Sequence, residues 1–403
     1  MNMKKITILL LIILSFSASL FSKGIYDGAD KKTQLLLKDI DSSIEKKQYQ
    51  TAFYKTSEEN EFLLAKRVEI ATQYFAQSIM HQLFAFKDLK DSETLYQVRT
   101  SDGDFQMSMA DPVKAIEEFE KKHGEKAILK YALGLYYQDV INRYYDQWLI
   151  SVDELREKVI FNFQKALDKG CYDDYSLSVL ATSYYNNKDL ERAVKLYQKK
   201  EKEFDFTATD NFHYGIILWM LEDGKHGIEY VKKSVEGYKE QPEYQSDAYI
   251  VVARIGMSIS DFKTAEKYLA ECKKAYPKDY RVAQYSITLN SLQNNKSKAI
   301  ANAMELFSYA PGNPSVCQMI MEECENAGKP EFALDFFKEA VIKYASDAKA
   351  CENLYFHYAY QYYYMEKPDE ARQMALKARE YFTKNKSLTS EVSELLDNLI
   401  NVQ

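Results

Sequence analysis

Small residues recur along the chain at a nearly constant interval, and this interval limits the possible folds more than any other feature. Successive members lie 34, 38, 34, 34 and 38 positions apart, and they are Ala193, Gly227, Ala265, Ala299, Ala333 and Ala371. Each follows a polar turn, within stretches whose apolar residues recur at helical spacing. A period of about 20–50 residues is typical of stacked supersecondary units. The spacing therefore predicts a stack of helix pairs.

Positions at fixed distances from these anchors support the same interpretation. Twelve residues earlier, four of six positions are small, the set being Ala181, Gly215, Ala253, Ile287, Met321 and Ala359. Four residues later all six are apolar or aromatic: Tyr197, Val231, Leu269, Ala303, Phe337 and Ala375. Pro277 and Pro311 each stand 12 residues after an anchor, where a second helix should end. Helices approach closely where a small side chain on one admits a large side chain from the other.

This pattern resembles the tetratricopeptide repeat (TPR) family, whose unit is a 34-residue helix–turn–helix. Leu177–Tyr184, followed by Ala193 and Tyr197, carries the family pattern, and Tyr249–Pro277 carries it again. Units are expected to begin near residues 174, 208, 246, 280, 314 and 352, and the resemblance covers roughly 127–385. Pro242–Gln245 and Ala348–Cys351 are expected to be four-residue spacers.

An earlier unit, near residue 127, is interrupted. Leu133–Tyr137 is expected in its first helix and Phe163–Leu167 in its second, with extra residues around Trp148 between them. These extra residues predict either an elongated first helix or an inserted turn that projects from one edge. The resemblance implies an all-α fold: a right-handed superhelical solenoid of TPR-like helix hairpins.

The flanking regions are expected to be helical. Residues 23–126 form a predicted N-terminal helical region, with Glu58–Phe86 as one long helix and Asp91–Met109 as a loop. Asp111-Pro112 predicts an N-cap followed by proline in the first helical turn. At the other end, residues 386–403 form a predicted capping helix, because Ser387–Val402 places its apolar residues on one face.

The first 22 residues have the three-part pattern of a secretory signal peptide. Lys4 and Lys5 precede the apolar stretch Ile6–Phe21, and small residues around Ser19 and Ser22 offer cleavage sites. An uncleaved N-terminal membrane anchor is the alternative, but the strongly apolar part, Ile6–Leu14, is shorter than the roughly 18–20 residues that a spanning helix needs. The sequence predicts an exported protein, periplasmic or secreted, with no membrane span after signal removal.

Composition excludes several classes of protein. The 403 residues include only 13 Gly and 7 Pro, too few for a turn-rich β protein or a flexible linker. A 46% hydrophobic fraction excludes wholesale disorder. The net charge of −7 argues against nucleic acid as the main partner, because such binding needs clustered positive charge.

Motifs of enzymes and metal sites are absent from the sequence. The five histidines form no zinc-binding pair, although His213 and His357 share a repeat position. No phosphate-binding or dinucleotide-binding glycine motif occurs, so no cofactor and no metal are predicted. There is no Cys-x-x-Cys, and Cys317 and Cys351 are the two cysteines that could approach each other. Carboxylate pairs brought together by folding remain open at this point.

Aromatic residues are the most informative candidates for a binding site. The TPR resemblance implies that unit positions 2, 5, 9, 12 and 13 face a concave groove. Those positions include Tyr185, Phe212, Trp219, Arg254, Arg281, Phe356, Tyr360, Tyr363 and Tyr364. Tyr and Trp offer rigid contact area with one polar group, which suits recognition and also core packing. The Lys/Asn/Arg arrangement by which some TPR domains hold a C-terminal carboxylate is not present.

Two functional hypotheses from different classes follow. The first is a non-enzymatic exported TPR scaffold that binds a peptide segment or a partner protein of the cell envelope through its groove. The second is an α-helical enzyme or binding protein acting on envelope polysaccharide, with aromatic residues on the sugar and two carboxylates as acid and base. A purely structural spacer is a third possibility. The sequence does not define the oligomeric state.

Overall fold

The structure, a computed structural model, describes residues 24–79, 83–101 and 108–401. Twenty α-helices and three short strands lie within these residues. The predicted signal peptide, His81, residues 102–107 of the predicted loop and Val402 lie outside them. The chain divides into two compact units, an N-terminal unit up to Asp205 and a C-terminal unit from Phe206.

The N-terminal unit contains nine of the helices and all three described strands. They are α1 (Lys31–Glu45), α2 (Tyr49–Lys55), α3 (Glu61–Gln73), β1 (Gln77–Ile79), β2 (Leu83–Phe86), α4 (Leu95–Thr100), β3 (Ser108–Ala110), α5 (Pro112–His123), α6 (Ala127–Tyr144), α7 (Val152–Asp168), α8 (Asp174–Asn186) and α9 (Leu190–Glu203).

The C-terminal unit is helical throughout its described residues. Its helices are α10 (Ala208–Met220), α11 (Gly224–Gly237), α12 (Pro242–Ser258), α13 (Phe262–Ala275), α14 (Tyr280–Leu292), α15 (Lys296–Tyr309), α16 (Pro314–Asn326), α17 (Pro330–Lys343), α18 (Ala348–Tyr364), α19 (Pro368–Lys384) and α20 (Ser390–Ile400). From α6 to α19, consecutive helices pair as hairpins of the TPR type within each unit, and the fold is an all-α helical-repeat solenoid.

The turn inside each of the six hairpins from α8–α9 to α18–α19 has the same backbone geometry. The second residue before each second helix adopts a left-handed conformation, with φ between 57° and 68°, and these residues are Lys188, Glu222, Ser260, Asn294, Gly328 and Glu366. In the first four turns an Asp or Asn follows at once and caps the second helix by accepting a backbone N–H. In the last two, proline enters the first helical turn instead.

The six anchor residues occupy one equivalent place in the fold. Each is the fourth residue of its second helix, and the five alanines are at most 1% exposed. The contact is closest between α10 and α11, where a Cβ atom on Gly227 would lie 2.5 Å from the carbonyl oxygen of Gly215. The prediction of a helical repeat with small residues at the crossings is therefore confirmed.

The two intervals of 38 residues have a different origin from the predicted one. Pro242–Gln245 and Ala348–Cys351 are not spacers, since they form the first turn of α12 and of α18. Both first helices are 17 residues long, whereas α8, α10, α14 and α16 have 13. Proline is tolerated in the first helical turn, where its missing N–H has no intrahelical partner.

The interrupted unit has an elongated first helix followed by an inserted turn, so it contains elements of both predicted alternatives. Helix α6 is elongated to 18 residues, and a 3₁₀ turn at Tyr145–Gln147 follows it. Trp148, at the end of this insertion, does not project, because it is only 8% exposed and its ring stacks on Phe84. Gly134 of α6 lies directly against the ring of Phe163 on α7.

Two predictions for residues 58–110 were wrong. Glu58–Phe86 is not one helix: α3 ends at Gln73, and β1 and β2 pair with each other and with β3 as an antiparallel sheet. The predicted loop Asp91–Met109 contains α4 and part of β3. Phe84, Ala85 and Phe86 are at most 1% exposed, and a short, fully apolar run fits a buried strand as well as a buried helix.

The structure has a helix at each of the two predicted flanking positions, and α20 is shorter than the predicted stretch Ser387–Val402. Asp111 caps α5 by accepting the backbone N–H of Lys114, and Pro112 follows it. Helix α20 covers α19 with Leu396, Leu399 and Ile400, all buried. Among the described helices, none has both the length and the apolar composition required to cross a membrane.

Candidate functional site

The first helices of the C-terminal unit form a continuous series. Helix α10 contacts α12, α12 contacts α14, and α14 contacts α16. Four partly or fully buried side chains from these helices lie together along the series: Trp219, Arg254, Tyr285 and Glu323. We refer to these four residues as the first-helix cluster.

Arg254 is the centre of the cluster. Its guanidinium carbon lies 5.3 Å from the ring centroid of Trp219 and 5.3 Å from that of Tyr285. Arginine is attracted to the faces of aromatic rings, and the attraction strengthens when water is excluded. No ion pair joins Arg254 to a carboxylate among the described residues, although the Arg254 charge acts on the nearby carboxylate of Glu323.

Trp219 is fixed by a hydrogen bond. Its indole Nε1 donates to Ser258 Oγ on α12 over 2.8 Å, and Ser258 Oγ donates to the carbonyl oxygen of Ile255. The hydrogen bond crosses from α10 to α12, so Trp219 joins two consecutive first helices. The indole is half-buried and keeps part of its surface accessible.

Glu323 closes the cluster at α16. Gln284 Nε2 donates to Glu323 Oε1 over 2.6 Å, and the Thr288 hydroxyl donates to Oε2, so α14 holds both carboxylate oxygens. Burial raises the pKa of Glu323 above its ordinary value, against the opposing effects of these hydrogen bonds and of the Arg254 charge. The carboxylate therefore adds a buried acid on which the charge of Arg254 acts.

The charge of Arg281, in contrast, is satisfied within the fold. Its Nη2 atom lies 2.7 Å from Asp279 Oδ2 and its Nη1 atom lies 2.5 Å from Asp247 Oδ1. Hydrogen bonding to Asp279 and then to Asp247 raises the pKa of Arg281. Asp247 and Arg281 occupy the second position of neighbouring units, so this ion pair joins α12 to α14.

The aromatic candidates of α18 differ in exposure. Phe356 and Tyr360 are partly buried against the cluster that includes Phe382, and the Phe356 and Phe382 centroids lie 5.9 Å apart. Tyr363 and Tyr364 are 44% and 68% exposed. The ring of Tyr364 lies 6.1 Å from that of Tyr360, so exposed and packed rings are continuous along the helix.

Two other candidates lie elsewhere. Phe212 is 5% exposed and packs in a core cluster with Val231 and Tyr238, so we leave it out of the proposed surface. Tyr185 lies on α8 of the N-terminal unit, where it is half-buried and burial raises the pKa of its hydroxyl.

Tyr285 and the buried position of Glu323 were not predicted from the sequence. Tyr285 is the sixth residue of α14, outside the groove positions that the resemblance implies, yet it packs on Arg254 from the preceding unit. The available signal was an aromatic residue in the unit next to that of a groove cation, within one helical turn of a groove position. Gln284 and Thr288 precede the contact with Glu323 by 39 and 35 positions, close to one repeat.

The described residues contain no group of three or more His, Cys, Asp and Glu side chains placed to hold a metal ion. All five cysteines are described and free; four are buried, and Cys171 is half-buried. Cys351 Sγ donates to the carbonyl oxygen of Tyr344 over 3.2 Å. Two carboxylate pairs, Asp247 with Asp279 and Asp41 with Glu69, each share a basic residue that bridges them.

No protein-family model and no curated protein matches the sequence. Among solved structures, the chain is similar to a tetratricopeptide repeat protein from Parabacteroides merdae, with 16% identity and a TM-score of 0.42, over 66% of this chain and 99% of that one. It is also similar to the C-terminal part of a TPR repeat-containing protein from Cytophaga hutchinsonii, with 14% identity and a TM-score of 0.41, over 60% and 95% of the two chains. At such low values, the assignment of the fold depends on the helix register of this chain itself.

Proposed function

We propose that this chain is a non-enzymatic, exported scaffold that binds a peptide segment of a cell-envelope protein on the first helices of its C-terminal unit. The observation that carries the proposal is the position of Arg254, held between Trp219 and Tyr285 without a carboxylate partner among the described residues. Stacked helical repeats present extended surfaces of this kind, and binding is their usual function.

The chemistry of the cluster favours an acidic peptide segment. The ring centroids of Trp219 and Tyr285 each lie 5.3 Å from the guanidinium carbon, so both rings are close enough to stabilise the charge of Arg254. A carboxylate on the peptide would accept hydrogen bonds from the guanidinium edge, and an adjacent apolar side chain would contact the indole. Trp, Tyr and Arg are the residue types that contribute most often to the binding energy of interfaces.

The contrast with Arg281 supports the choice of Arg254. Arg281 carries two carboxylate partners, and binding a third would require one of them to be displaced. Arg254 requires no such exchange. Tyr363 and Tyr364 extend the proposed surface on α18, where their exposed rings provide contact area without net charge.

Export is supported by the sequence of the first 22 residues. Lys4 and Lys5, the apolar stretch Ile6–Phe21 and the small residues before Lys23 are arranged as in a secretory signal peptide. The partner would then be met outside the cytoplasm, and we infer that it is a protein of the cell envelope.

Site-specific crosslinking in the native cell tests the proposal. A photo-crosslinking amino acid replaces Met220, which is 41% exposed and adjoins Trp219, or Ile342, which is 73% exposed on the second helix α17. We expect a defined envelope protein to crosslink from position 220 and not from position 342, with the crosslinked peptide identified by mass spectrometry. The same products from both positions would contradict the proposal.

A synthetic peptide covering the crosslinked segment then allows the affinity to be measured by fluorescence anisotropy. Arg254→Gln is expected to weaken binding at least about tenfold, since hydrogen bonds to charged groups contribute about 1.5–3 kcal/mol. Arg372→Gln, which removes an exposed arginine from α19, is the matched control and should bind normally. Equal affinities of the two variants would refute the role of Arg254.

A further inference from the structure

A cavity of about 200 Å³ lies in the N-terminal unit, remote in sequence from the first-helix cluster. It is bounded by Phe53 of α2, by Val68 and Ala71 of α3, and by Pro112 and Ala115 of α5. These five side chains are apolar, and Phe53, Val68 and Ala71 are buried, but the cavity is partly open to solvent and charged groups also line it. One cation, Arg67 of α3, also lines the cavity.

The guanidinium of Arg67 is held in place on one edge only. Its Nε donates to Thr56 Oγ1 over 3.0 Å, and the Thr56 hydroxyl donates in turn to the carbonyl oxygen of Phe53. The guanidinium carbon lies 5.1 Å from the centroid of the Phe53 ring. Within the described parts of the chain, the terminal Nη1 and Nη2 atoms have neither an ion pair nor a hydrogen bond.

This environment is unfavourable for an unpaired charge. Arg67 is half-buried, and burial lowers the pKa of its guanidinium. Asp111 also lines the cavity, but its carboxylate caps α5 by accepting the Lys114 N–H over 3.0 Å and forms no ion pair with Arg67. Burying a charge is costly unless an opposite charge or hydrogen-bond acceptors compensate it.

We propose that this cavity binds a small monocarboxylate with a compact apolar body. The carboxylate accepts hydrogen bonds from the two Nη groups of Arg67, and the body lies against Phe53, Val68 and Ala115. Arginine presents paired donors that match the two oxygens of a carboxylate. The ligand thus supplies the counter-charge that the fold leaves out.

The size and the charge of the cavity restrict the ligand. A cavity of about 150 Å³ is sufficient for benzene, whereas drug-sized ligands occupy pockets of about 300–1,000 Å³. A volume of about 200 Å³ therefore fits an acid of the size of benzoate or hexanoate. Because Arg67 is the one cation named in the lining and the carboxylate of Asp111 also lines the cavity, dianions such as phosphate are disfavoured.

Isothermal titration calorimetry on the full chain provides the test, with sodium benzoate and sodium hexanoate as probes. We expect saturable binding of at least one acid, with a Kd in the millimolar range or lower, at one site per chain. Benzyl alcohol, which has the ring without the charge, and inorganic phosphate, which has charge without the apolar body, should each bind at least about tenfold more weakly.

Three variants locate the site. Arg67→Gln should weaken the binding of the acid at least about tenfold, and Ala115→Leu should abolish it by filling the cavity. Arg156→Gln, an arginine of α7 that pairs with Asp153, is the control and should leave the Kd unchanged. Thermal melting followed by circular dichroism verifies that each variant is folded. Should Arg67→Gln not fold, Arg67→Lys and Ala115→Leu provide the same comparison.

Two results would overturn the proposal. One is the absence of saturable binding of both acids to the wild-type chain. The other is binding that is unchanged in Arg67→Gln and in Ala115→Leu, which would place the acid elsewhere on the protein.

Discussion

Two histidines occupy the sixth position of their repeat units, and both are held in the uncharged state by the fold. His213 is 2% exposed, and burial lowers its pKa to about 4 against a weaker opposing effect of Asp210. His357 Nδ1 donates to the carbonyl oxygen of Asn353 over 2.8 Å, and burial also lowers the pKa of His357. These side chains contribute to packing when they are uncharged, and they lower the stability of the folded state in acid.

The pH dependence of stability follows from His213. The unfolded chain binds a proton at this residue below about pH 6.5, whereas the folded chain does so only near pH 4. The unfolded state thus binds more protons in this window, and the free energy of unfolding falls as the pH falls. We expect a loss of up to about 3 kcal/mol between pH 7 and pH 4 from this residue.

Urea unfolding at pH 7 and pH 4.5 measures this effect. The quantity compared is the change between the two pH values, because His213→Gln also alters packing at both. That change should be smaller in His213→Gln than in the wild type. His226→Gln is the control, since the His226 side chain is 77% exposed. An identical change in all three proteins would contradict the prediction.

A second prediction at the scale of single residues concerns the alanines at the helix crossings. Ala299 of α15 is 1% exposed and packs in the same core cluster as Ile287, whereas Ala301 of the same helix is exposed. Ala299→Leu should lower the free energy of unfolding by about 1–3 kcal/mol, because added methylene groups overfill the crossing. Ala301→Leu should change it by less than about 0.5 kcal/mol.

The measurement is the urea midpoint together with the m-value for each of the two variants. Equal midpoints would mean that α15 does not cross its neighbour at Ala299. A reduced m-value in Ala299→Leu would instead indicate a change in the cooperativity of unfolding.

At the scale of helices, the α10–α11 hairpin is packed more tightly than its neighbours. A Cβ atom on Gly227 would lie 2.5 Å from the Gly215 oxygen, and a Cβ atom on Gly215 would lie 2.6 Å from the Gly227 oxygen. The obstacle in both cases is backbone, which cannot move aside as a side chain can. Other hairpins have alanine at both positions, as in Ala253 and Ala265.

Gly227→Ala therefore tests whether helix propensity or helix packing determines the stability of this hairpin. Helix propensity alone favours alanine by about 1 kcal/mol, and the equivalent anchors in the other units are alanine. Because the new methyl group would force α10 and α11 apart, we expect destabilisation instead. Gly312→Ala is the control, since its Cβ atom would meet only a Lys349 side-chain atom at 3.5 Å.

Thermal unfolding of the two variants gives the answer. A melting temperature of Gly227→Ala equal to or above that of the wild type would show that the two helices separate without cost. A fall in Gly227→Ala combined with little change in Gly312→Ala would support the backbone contact.

The elements that were predicted from sequence are those with a repeated signal. The second helices could be placed because each anchor recurs with a capping Asp or Asn, or with a proline, before it. Strand β2 could not, because Leu83–Phe86 is too short and too uniformly apolar to show a period. The first turn of α12 was missed because Pro242 and the polar residues after it resemble a linker, whereas Ala348–Cys351 of α18 was taken for a spacer only from the interval of 38 residues.

The candidate site was predictable to the extent that its residues follow the repeat. Trp219 and Arg254 could be selected by position, and the structure brings them together. Arg281 is less suited to binding because it pairs with Asp279 and Asp247. This pairing depends on side-chain geometry across two helices, and the repeat pattern contains no signal for it. Arg67 and its cavity were not predicted, because they lie outside the repeats.

For the molecule as a whole, a stack of repeats implies that each unit is stabilised by contacts with its immediate neighbours. In the C-terminal unit each hairpin contacts the next, and α20 covers the last one through Leu396, Leu399 and Ile400. In such an array, the stability of each unit depends on its own interactions and on its two interfaces. Loosening the cap should thus affect the nearest hairpin most.

Leu396→Ala and Leu395→Ala test this coupling in the full chain. Leu396 is fully buried and its truncation should cost about 2–5 kcal/mol locally, whereas Leu395 is 41% exposed and serves as the control. Hydrogen exchange followed by mass spectrometry should show faster exchange in α18 and α19 of Leu396→Ala, a smaller increase in α16 and α17, and almost none in α10 and α11. A uniform increase across all these helices would indicate that the unit unfolds as a single cooperative body, and the absence of any increase would show that α20 does not support the array.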